Sequence, residues 1–259
     1  MSRPAIFITG AAAGIGRATA ELYAAKGWFV GLYDVAGAAV EALRDQLGAD
    51  HAIAEALDVV DAAAVTAALE RFFRRSGRLD VMFSCAGILS TGDFADIPIT
   101  RHHLIVDVNL KGVINGAHAA LPYLRQTPGA CLINMASASA IHGAPGFASY
   151  GATKFAVKGL TEALSIEWAQ YGIRVMDLLP LFVATPMVHD VAAPPKSITR
   201  MGVNLKAEDI AAKVWQVSQS RSLAHTHWYP GLQTQALALA NKLLPAFLNR
   251  YTTKLVSGY

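Results

Sequence analysis

The sequence predicts an α/β fold: a three-layer, doubly wound sheet of about seven mostly parallel strands with helices on both faces. Short apolar, β-rich runs alternate with longer helical stretches along the chain, as in consecutive βαβ units. Apolar residues make up 53% of the 259 residues and charged residues 16%, which fits an enzyme with a large core and excludes a disordered chain. No linker, repeat or low-complexity block interrupts the chain, so residues 1–259 are expected to form one domain.

Each strand of this sheet is expected to lead into a helix or a turn. The predicted strands are Ala5–Thr9, Trp28–Tyr33, Ala52–Leu57, Leu79–Ser84, Ala130–Met135, Ile173–Leu179 and a short one near His227–Tyr229. The predicted helices are Arg17–Lys26, Ala38–Leu47, Ala62–Arg75, Thr100 to about Arg125, Ser149–Tyr171 and Ala207–Ser220. Gly27, Gly48 and Gly77 close the first three helices, and Thr100 is expected to cap the fourth. A last helical segment is interrupted at Pro245, because proline breaks the hydrogen-bond pattern of a helix.

Targeting and redox features point to the cytoplasm. Residues 1–4 run directly into the first strand without a secretory start, and no apolar stretch is long enough to span a bilayer. Cys85 and Cys131 form neither a disulfide framework nor a metal-ligand spacing. We therefore expect a reduced cytoplasmic protein with no metal site and no nucleic-acid partner.

The charge is unevenly distributed. Asp209 is the last acidic residue, and the residues after it include five basic ones. The predicted C-terminal helical tail, residues 231–259, is therefore cationic, and it contains the apolar segment Leu232–Leu248. Such a tail could meet an anionic partner or a membrane surface. A self-association surface or simple solvation is the preferred interpretation.

A glycine-rich turn follows the first strand. It reads Thr9-Gly10-Ala11-Ala12-Ala13-Gly14-Ile15-Gly16. Glycines permit a tight turn and close approach of the backbone to a pyrophosphate, and the next helix offers free N–H groups at its start. Glycine spacing alone would indicate only a turn. Between a strand and a helix it predicts a Rossmann-like dinucleotide site formed by Gly10, Ala13, Gly14, Ile15 and Gly16.

The second strand ends at Asp34. A carboxylate there can accept both hydroxyls of an adenosine ribose, whereas it would repel a 2′-phosphate. Val35 follows it, Ala13 precedes the second glycine, and Arg17 is expected to make contacts on the helix surface. No basic residue is thus in an obvious place to pair with such a phosphate, and NAD is predicted in preference to NADP. A turn-forming aspartate is the alternative.

The third strand leads to Asp58 and Val59. Both are predicted to lie beside the cofactor, with Asp58 at the adenine edge. As a single residue, Asp58 could equally cap the helix that begins near Asp61.

Tyr150 and Lys154 stand four residues apart and so share one helical face. A free tyrosine titrates near ~10, and a nearby cation pulls that pKa down towards the range where a phenol can exchange protons. Hydride transfer from an alcohol needs such a partner, because the hydroxyl proton must leave as the hydride departs. Alone, this spacing arises often by chance.

Together with the glycine turn, this pair resembles the short-chain dehydrogenase/reductase family in its common short form. Residues 133–137 resemble that family's fifth strand and its serine, Ser137, thirteen residues before the tyrosine. Residues 108–112 resemble the segment that carries its helix-borne asparagine, Asn109. Pro180 through Thr185 resembles the segment after the sixth strand.

The resemblance implies a role for each of these residues. Tyr150 should act as general acid/base, Ser137 should orient the substrate oxygen, and Lys154 should bind the nicotinamide ribose while lowering the tyrosine pKa. Asn109, at a break in its helix, should hold a water that links Lys154 to solvent. The remaining cofactor contacts implied are Ala86, Gly87, Pro180, Val183 and Thr185. A homodimer or homotetramer is also implied, assembled through the helices that bear Asn109 and Tyr150.

Two positions depart from the family pattern. The family's Asn-Asn-Ala-Gly after the fourth strand is here Ser84-Cys85-Ala86-Gly87, so the support of the first asparagine must come from Ser84 or elsewhere. The usual Pro-Gly is Pro180-Leu181. A backbone conformation that needs glycine is therefore either not adopted or strained there.

Residues 185–206 are expected to cover the substrate. They are mostly aliphatic or small, which predicts an apolar pocket without a carboxylate clamp. Candidate substrate contacts are Ser139, His142, Phe147, Phe182, Met187 and His189. Loop packing is the alternative for all of them, and plain solvation for the two histidines.

The sequence thus predicts an oxidoreductase that transfers a hydride between NAD(H) and a hydrophobic secondary alcohol or ketone. An NADP-preferring carbonyl or acyl-chain ketoreductase is the alternative. A non-catalytic dinucleotide-sensing scaffold is disfavoured, since a pure binder does not need Tyr150. A peripheral membrane reductase is disfavoured as well, because Pro245 and family-like dimer packing favour a soluble interface.

Overall fold

The structure is a computed structural model that describes residues 3–191, 194–222 and 225–259. Its strands are β1 (Ala5–Thr9), β2 (Phe29–Asp34), β3 (Ala52–Ala56), β4 (Val81–Ser84), β5 (Cys131–Met135), β6 (Arg174–Leu178), β7 (Val183–Ala184), β8 (Leu205–Lys206) and β9 (His227–Trp228). Seven of them form one parallel sheet in the order β3-β2-β1-β4-β5-β6-β9, and β7 pairs with β8 separately. The predicted α/β fold class is confirmed.

Helices cover both faces of this sheet. They are α1 (Gly14–Ala25), α2 (Gly37–Leu47), α3 (Ala62–Ser76), α4 (Ile99–Val106), α5 (Gly112–Leu124), α6 (Ala148–Glu167), α7 (Pro186–His189), α8 (Lys196–Met201), α9 (Ala207–Gln219), α10 (Leu232–Leu243) and α11 (Ala246–Ser257). Successive side chains of a strand point to opposite faces, so Ile6 and Ile8 of β1 pack with α1, α2 and α9 while Phe7 packs with α3 and α5. The central strands are buried on both sides, which explains why they read as continuous apolar runs.

The order of the strands places a crevice beside β1. The chain proceeds from β1 outward through β2 to β3, and then returns to add β4 on the opposite side of β1. Loops that leave the carboxyl ends of β1 and β4 therefore diverge, and ligands of doubly wound sheets bind in the opening between them.

The helix predicted from Thr100 to about Arg125 is divided. It begins at Ile99 after Pro98, without a cap from Thr100, and a π-helical turn at Asp107–Lys111 separates α4 from α5. Such turns are rare and occur often at functional sites. The break predicted at Asn109 is confirmed, and it leaves that side chain fully buried.

Several segments that follow β6 in the chain reach the same end of the sheet. Residues between the paired strands β7 and β8 form α7 and α8, and the predicted covering residues Ala192 and Ala193 lie outside the described residues. Pro245 separates α10 from α11 as expected. Arg200 of α8 donates hydrogen bonds to the carbonyls of Leu255 and Val256, so α11 is held against α8.

Candidate active site

A cavity of about 480 Å³ lies at the carboxyl ends of the central strands. It is lined by every residue predicted to bind the cofactor: Gly10, Ala13, Gly14, Ile15, Gly16, Asp34, Asp58, Val59, Ala86, Gly87, Tyr150, Lys154, Pro180, Val183 and Thr185. It is also lined by Ser137 and by the predicted substrate contacts Ser139, His142, Phe147, Phe182 and Met187. His189 ends α7 and is not part of the lining, and Asn109 lies behind the wall.

The glycine turn forms a cradle that side chains would fill. Gly10 has a φ of +72°, and a Cβ there would lie 2.8 Å from the backbone of Ala86. A Cβ on Gly14, whose φ is +53°, would lie 3.1 Å from the side chain of Thr185. Helix α1 begins at Gly14, three residues before the predicted start, so its free N–H groups stand at the cavity. The cradle therefore fits a dinucleotide pyrophosphate.

The Asp34 carboxylate stabilises the turn that follows β2, and Asp34 also lines the cavity. Its carboxylate accepts hydrogen bonds from the N–H groups of Ala12 at 3.1 Å and Ala36 at 3.0 Å. Each oxygen has two lone pairs, so acceptor capacity remains for ribose hydroxyls. The Arg17 guanidinium, in contrast, donates to Glu21 and Gln46 on the helix surface, as expected.

The two roles considered for Asp58 are also distinguished. Asp61, not Asp58, caps α3, since its carboxylate accepts from the Ala64 N–H at 2.9 Å. Asp58 instead accepts from the Val60 N–H at 2.9 Å and faces the cavity. Asn115 of α5 donates to the Val59 carbonyl at 2.9 Å, a supporting contact that the sequence analysis missed because it spans 56 residues.

Helix α6 and the end of β5 bring the catalytic candidates together. The Lys154 ammonium donates to the Met135 carbonyl at 2.7 Å and lies 5.5 Å from the centroid of the Tyr150 ring. A hydrogen bond joins the side chains of Tyr150 and Ser137. Ser137 Oγ also accepts from the Ser139 N–H at 3.2 Å, which fixes its orientation.

Burial has the largest effect on the pKa values of Tyr150 and Lys154. It raises the pKa of Tyr150 to about 12, against the lowering effect of the hydrogen bond with Ser137. Burial also lowers the pKa of Lys154 to about 8. The direction for Tyr150 is opposite to the lowering expected from the Tyr-Lys spacing. Desolvation is the reason, because burial disfavours the charged phenolate.

Asn109 clamps the loop that follows β4. Its Oδ1 accepts from the Ile88 N–H at 2.8 Å, while its Nδ2 donates to the Ile88 carbonyl at 2.9 Å. A Cβ on Gly87 would lie 3.3 Å from Asn109 Oδ1 and 3.8 Å from Lys154 Nζ, so the asparagine and the lysine flank one small space. The expected water relay between them stays a prediction.

Comparison with known proteins decides the family. The short-chain dehydrogenase family model matches residues 4–196. The chain is 37% identical over 188 residues to the oxidoreductase UcpA of Escherichia coli (strain K12), covering 71% of each protein. It is 32% identical over 220 residues to cyclopentanol dehydrogenase of Comamonas sp. (strain NCIMB 9872), covering 83% of this chain and 86% of that one.

A solved structure agrees. The 3-ketoacyl-(acyl-carrier-protein) reductase from Brucella melitensis, complexed with NADH, superposes with a TM-score of 0.80 at 29% identity, covering 87% of this chain and 96% of that one. The chain belongs to the short-chain dehydrogenase/reductase family. The resemblance seen in the sequence is confirmed, and with it the enzyme class, a nicotinamide-dependent oxidoreductase.

The two departures of this dehydrogenase from its family pattern are accommodated locally. Thr9 Oγ1 accepts from the N–H groups of Cys85 at 3.1 Å and Ala86 at 3.2 Å, so β1 supports the loop while Ser84 Oγ is buried without a partner. Every described non-glycine residue, Leu181 included, has a negative φ. The conformation that would need glycine after Pro180 is therefore not adopted.

The C-terminal tail of this dehydrogenase reaches the substrate end of the cavity. The inner faces of α10 and α11 contribute Leu237, Thr252, Thr253, Val256 and Ser257 to its lining. These residues could not be identified from the sequence, because no local motif marks which face of a helix folds back over a distant site. Thr234, fully buried, accepts from the Leu181 N–H at 3.3 Å and ties α10 to the cofactor loop.

The side chains at this end are mainly apolar. Leu89, Phe147, Phe182, Met187, Met201, Leu237 and Val256 line it. Two hydroxyls of residues on the lining, Ser139 Oγ and Ser197 Oγ, are buried without a hydrogen-bond partner. Within the described ranges, no group of three or more His, Cys, Asp or Glu is placed to hold a metal ion.

Proposed function

We propose that this enzyme transfers a hydride between NAD(H) and a hydrophobic secondary alcohol or ketone, with Tyr150 as general acid/base. The observation that carries the proposal is the meeting of Ser137, Tyr150 and Lys154 in one cavity, with a glycine cradle at one end and an apolar wall at the other.

Ser137, Tyr150 and Lys154 have separate roles in the proposed reaction. When bound, the nicotinamide supplies or accepts the hydride. Ser137 donates a hydrogen bond to the substrate oxygen and holds it beside the Tyr150 hydroxyl. With a pKa of about 12, Tyr150 is protonated at neutral pH and is ready to give its proton to a carbonyl oxygen. In the oxidative direction the phenol must take up the alcohol proton, and the nearby Lys154 ammonium stabilises the phenolate that this requires.

The preference for NAD rests on Asp34 and Arg17. The carboxylate stands on the cavity wall where a 2′-phosphate would be repelled, and Arg17 is engaged with Glu21 and Gln46 on the helix surface. Titration should show that NADH binds more tightly than NADPH. Asp34→Ala should reduce this difference in affinity between the two cofactors. Tighter binding of NADPH by the unmodified protein would overturn this assignment.

The apolar substrate class rests on the lining of the cavity. Aliphatic and aromatic side chains dominate beyond the catalytic group, and the ionic side chains on the wall, Asp34, Asp58 and Lys154, belong to the cofactor end. The similarity to cyclopentanol dehydrogenase supports a secondary alcohol with an apolar ring or chain. We expect NAD reduction to be faster with hydrophobic secondary alcohols than with polyols of equal size. The reverse ranking would contradict the apolar class.

The decisive test of the mechanism is Tyr150→Phe. This change removes the proton donor and should lower kcat by about 10²–10⁴-fold, while NADH affinity stays near that of the unmodified protein. Tyr171→Phe, at a partly exposed tyrosine outside the cavity, is the matched control and should keep full turnover. Retained turnover in Tyr150→Phe would refute the proposed role.

Self-association is part of the proposal. Ile114 on α5 and Phe155 and Ile166 on α6 are exposed, and Ile166 has 80% of its surface accessible. Apolar side chains on these helices support a dimer or tetramer assembled through them. Light scattering should give a mass of at least two chains, which Ile166→Glu should reduce; a monomer would contradict the expectation.

A further inference from the structure

Helices α10 and α11 each have two distinct faces. The inner faces contribute to the cavity through Leu237 on α10 and through Thr252, Thr253, Val256 and Ser257 on α11. Their outer faces are exposed, and the enzyme chemistry described above does not use them.

The outer face of α11 combines aromatic, aliphatic and cationic side chains. Phe247 is 69% exposed, Tyr251 58% and Leu255 54%. Arg250 and Lys254 are exposed between them. The spacing of these five residues places them on one side of the helix, opposite the residues that line the cavity.

Helix α10 has an exposed apolar stripe of its own. Leu232 is 84% exposed, Leu239 58% and Leu243 71%, and all three recur at helical spacing with Lys242 beside them. Leu243 is followed by Leu244, Pro245 and then Phe247, so the apolar surface continues through the connection into α11. Isolated exposed leucines are ordinary, but a continuous set of this kind indicates a binding surface.

The charge of this surface selects its partner. Asp209 is the last acidic residue of the chain, so Lys242, Arg250 and Lys254 have no carboxylate side chain among residues 231–259. Exposed leucines and aromatic rings with interleaved cations suit the boundary between lipid headgroups and acyl chains, where the apolar parts insert and the cations meet anionic phosphates.

We propose that the outer faces of α10 and α11 bind the surface of an anionic lipid bilayer. A second copy of the chain fits this surface less well, because a two-fold contact would bring two cationic patches together without an Asp or Glu of residues 231–259 to pair with them. The apolar residues of α5 and α6 offer a separate surface for self-association. This proposal departs from the preference drawn from the sequence, because Pro245 divides the tail into two helices without burying its apolar residues.

The surface is held in place by the body of the protein. Arg200 bonds to the carbonyls of Leu255 and Val256 at the end of α11, and Thr234 ties α10 to Leu181. Because the same helices line the cavity, a lipid-dissolved substrate would lie about one helix diameter, ~10 Å, from the site. Among the described residues, no helix is long and apolar enough to cross a membrane.

Co-sedimentation with vesicles tests this inference on the full chain. We expect binding to vesicles of phosphatidylcholine with one third phosphatidylglycerol, little binding to pure phosphatidylcholine, and weakening at high salt. The double variant R250Q/K254Q should bind about 25-fold more weakly, at about fivefold per cation. The double variant F247Q/L255Q should also lose most binding. Turnover of a water-soluble alcohol should be unchanged in both variants.

Matched controls carry the same changes elsewhere. R74Q/R75Q removes two exposed cations from α3, and Ile99→Gln replaces an exposed apolar residue at the start of α4; both variants should bind anionic vesicles normally. Absence of binding to anionic vesicles, or equal losses in the controls, would overturn the inference. A second pair of results would also overturn it: the unmodified protein does not bind vesicles, and F247Q/L255Q lowers the molecular mass found by light scattering. The partner of this surface would then be a second copy of the chain.

Discussion

Lys154 is buried, and replacing it with methionine should stabilise the folded protein at neutral pH while abolishing turnover. Burial lowers the pKa of Lys154 from 10.5 to about 8, so its charged form is less favourable in the fold than in the unfolded chain. At about 1.4 kcal/mol per pKa unit, this costs about 3 kcal/mol below pH 8. Methionine removes that cost but leaves the Met135 carbonyl without its donor, a loss of about 1 kcal/mol. The expected net gain is about 2 kcal/mol.

The stability gained by Lys154→Met should fall as the pH rises. The folded protein releases the Lys154 proton near pH 8 and the unfolded chain near pH 10.5. Between these values the unfolded chain binds more protons, so the unmodified protein gains stability relative to Lys154→Met as pH rises. The advantage of the variant should therefore be complete at pH 7 and shrink steadily towards pH 10.5.

Urea unfolding at pH 7 and pH 9.5, followed by circular dichroism, measures this difference. Lys111→Met is the matched control, because the Lys111 side chain is 63% exposed and pairs only with Asp107 at the surface. That change should alter the free energy of unfolding by less than about 1 kcal/mol, and by a similar amount at both pH values. A Lys154→Met protein less stable than the unmodified one at pH 7, or a pH-independent difference, would refute the reasoning.

Three further changes test the packing around the site. Gly10→Ala should destabilise the fold by at least about 2 kcal/mol and weaken NADH binding, because its Cβ would lie 2.8 Å from the Ala86 backbone. Gly27→Ala is the control: its φ is +80° but the space around it is open, so it should destabilise the fold less and leave NADH binding unchanged. Thr234→Val should lower the free energy of unfolding by about 1 kcal/mol, because it leaves the Leu181 N–H unpaired. It should also raise KM for the alcohol more than it lowers kcat. Unchanged kinetics would exclude a link between α10 and the cofactor loop. Val256→Phe should lower kcat/KM for bulky alcohols but not for small ones, whereas Leu255→Phe on the outer face should change neither; equal effects would contradict the assigned helix faces.

Much of the nucleotide end could be predicted because its determinants are local. The glycine turn, Asp34 and the Tyr150–Lys154 pair lie within single strand–turn–helix units, where spacing along the chain translates directly into spacing in space. The break at Asn109 was also predicted and is present as a π-helical turn. Short elements such as α7, α8 and the β7–β8 pair were missed, since they have too few residues to show a period.

Sequence alone determined the doubly wound sheet, the resemblance to the family and the candidate catalytic and cofactor residues, because hydrophobic periodicity and motif spacing are properties of residues near one another in the chain. Only the tertiary structure decided three matters: the pKa of Tyr150, the absence of His189 from the cavity wall, and the division of α10 and α11 into an inner and an outer face. Each of these depends on burial by residues far away in the chain. Desolvation and exposure are set by the packed neighbours of a side chain, and these are fixed only when the elements assemble.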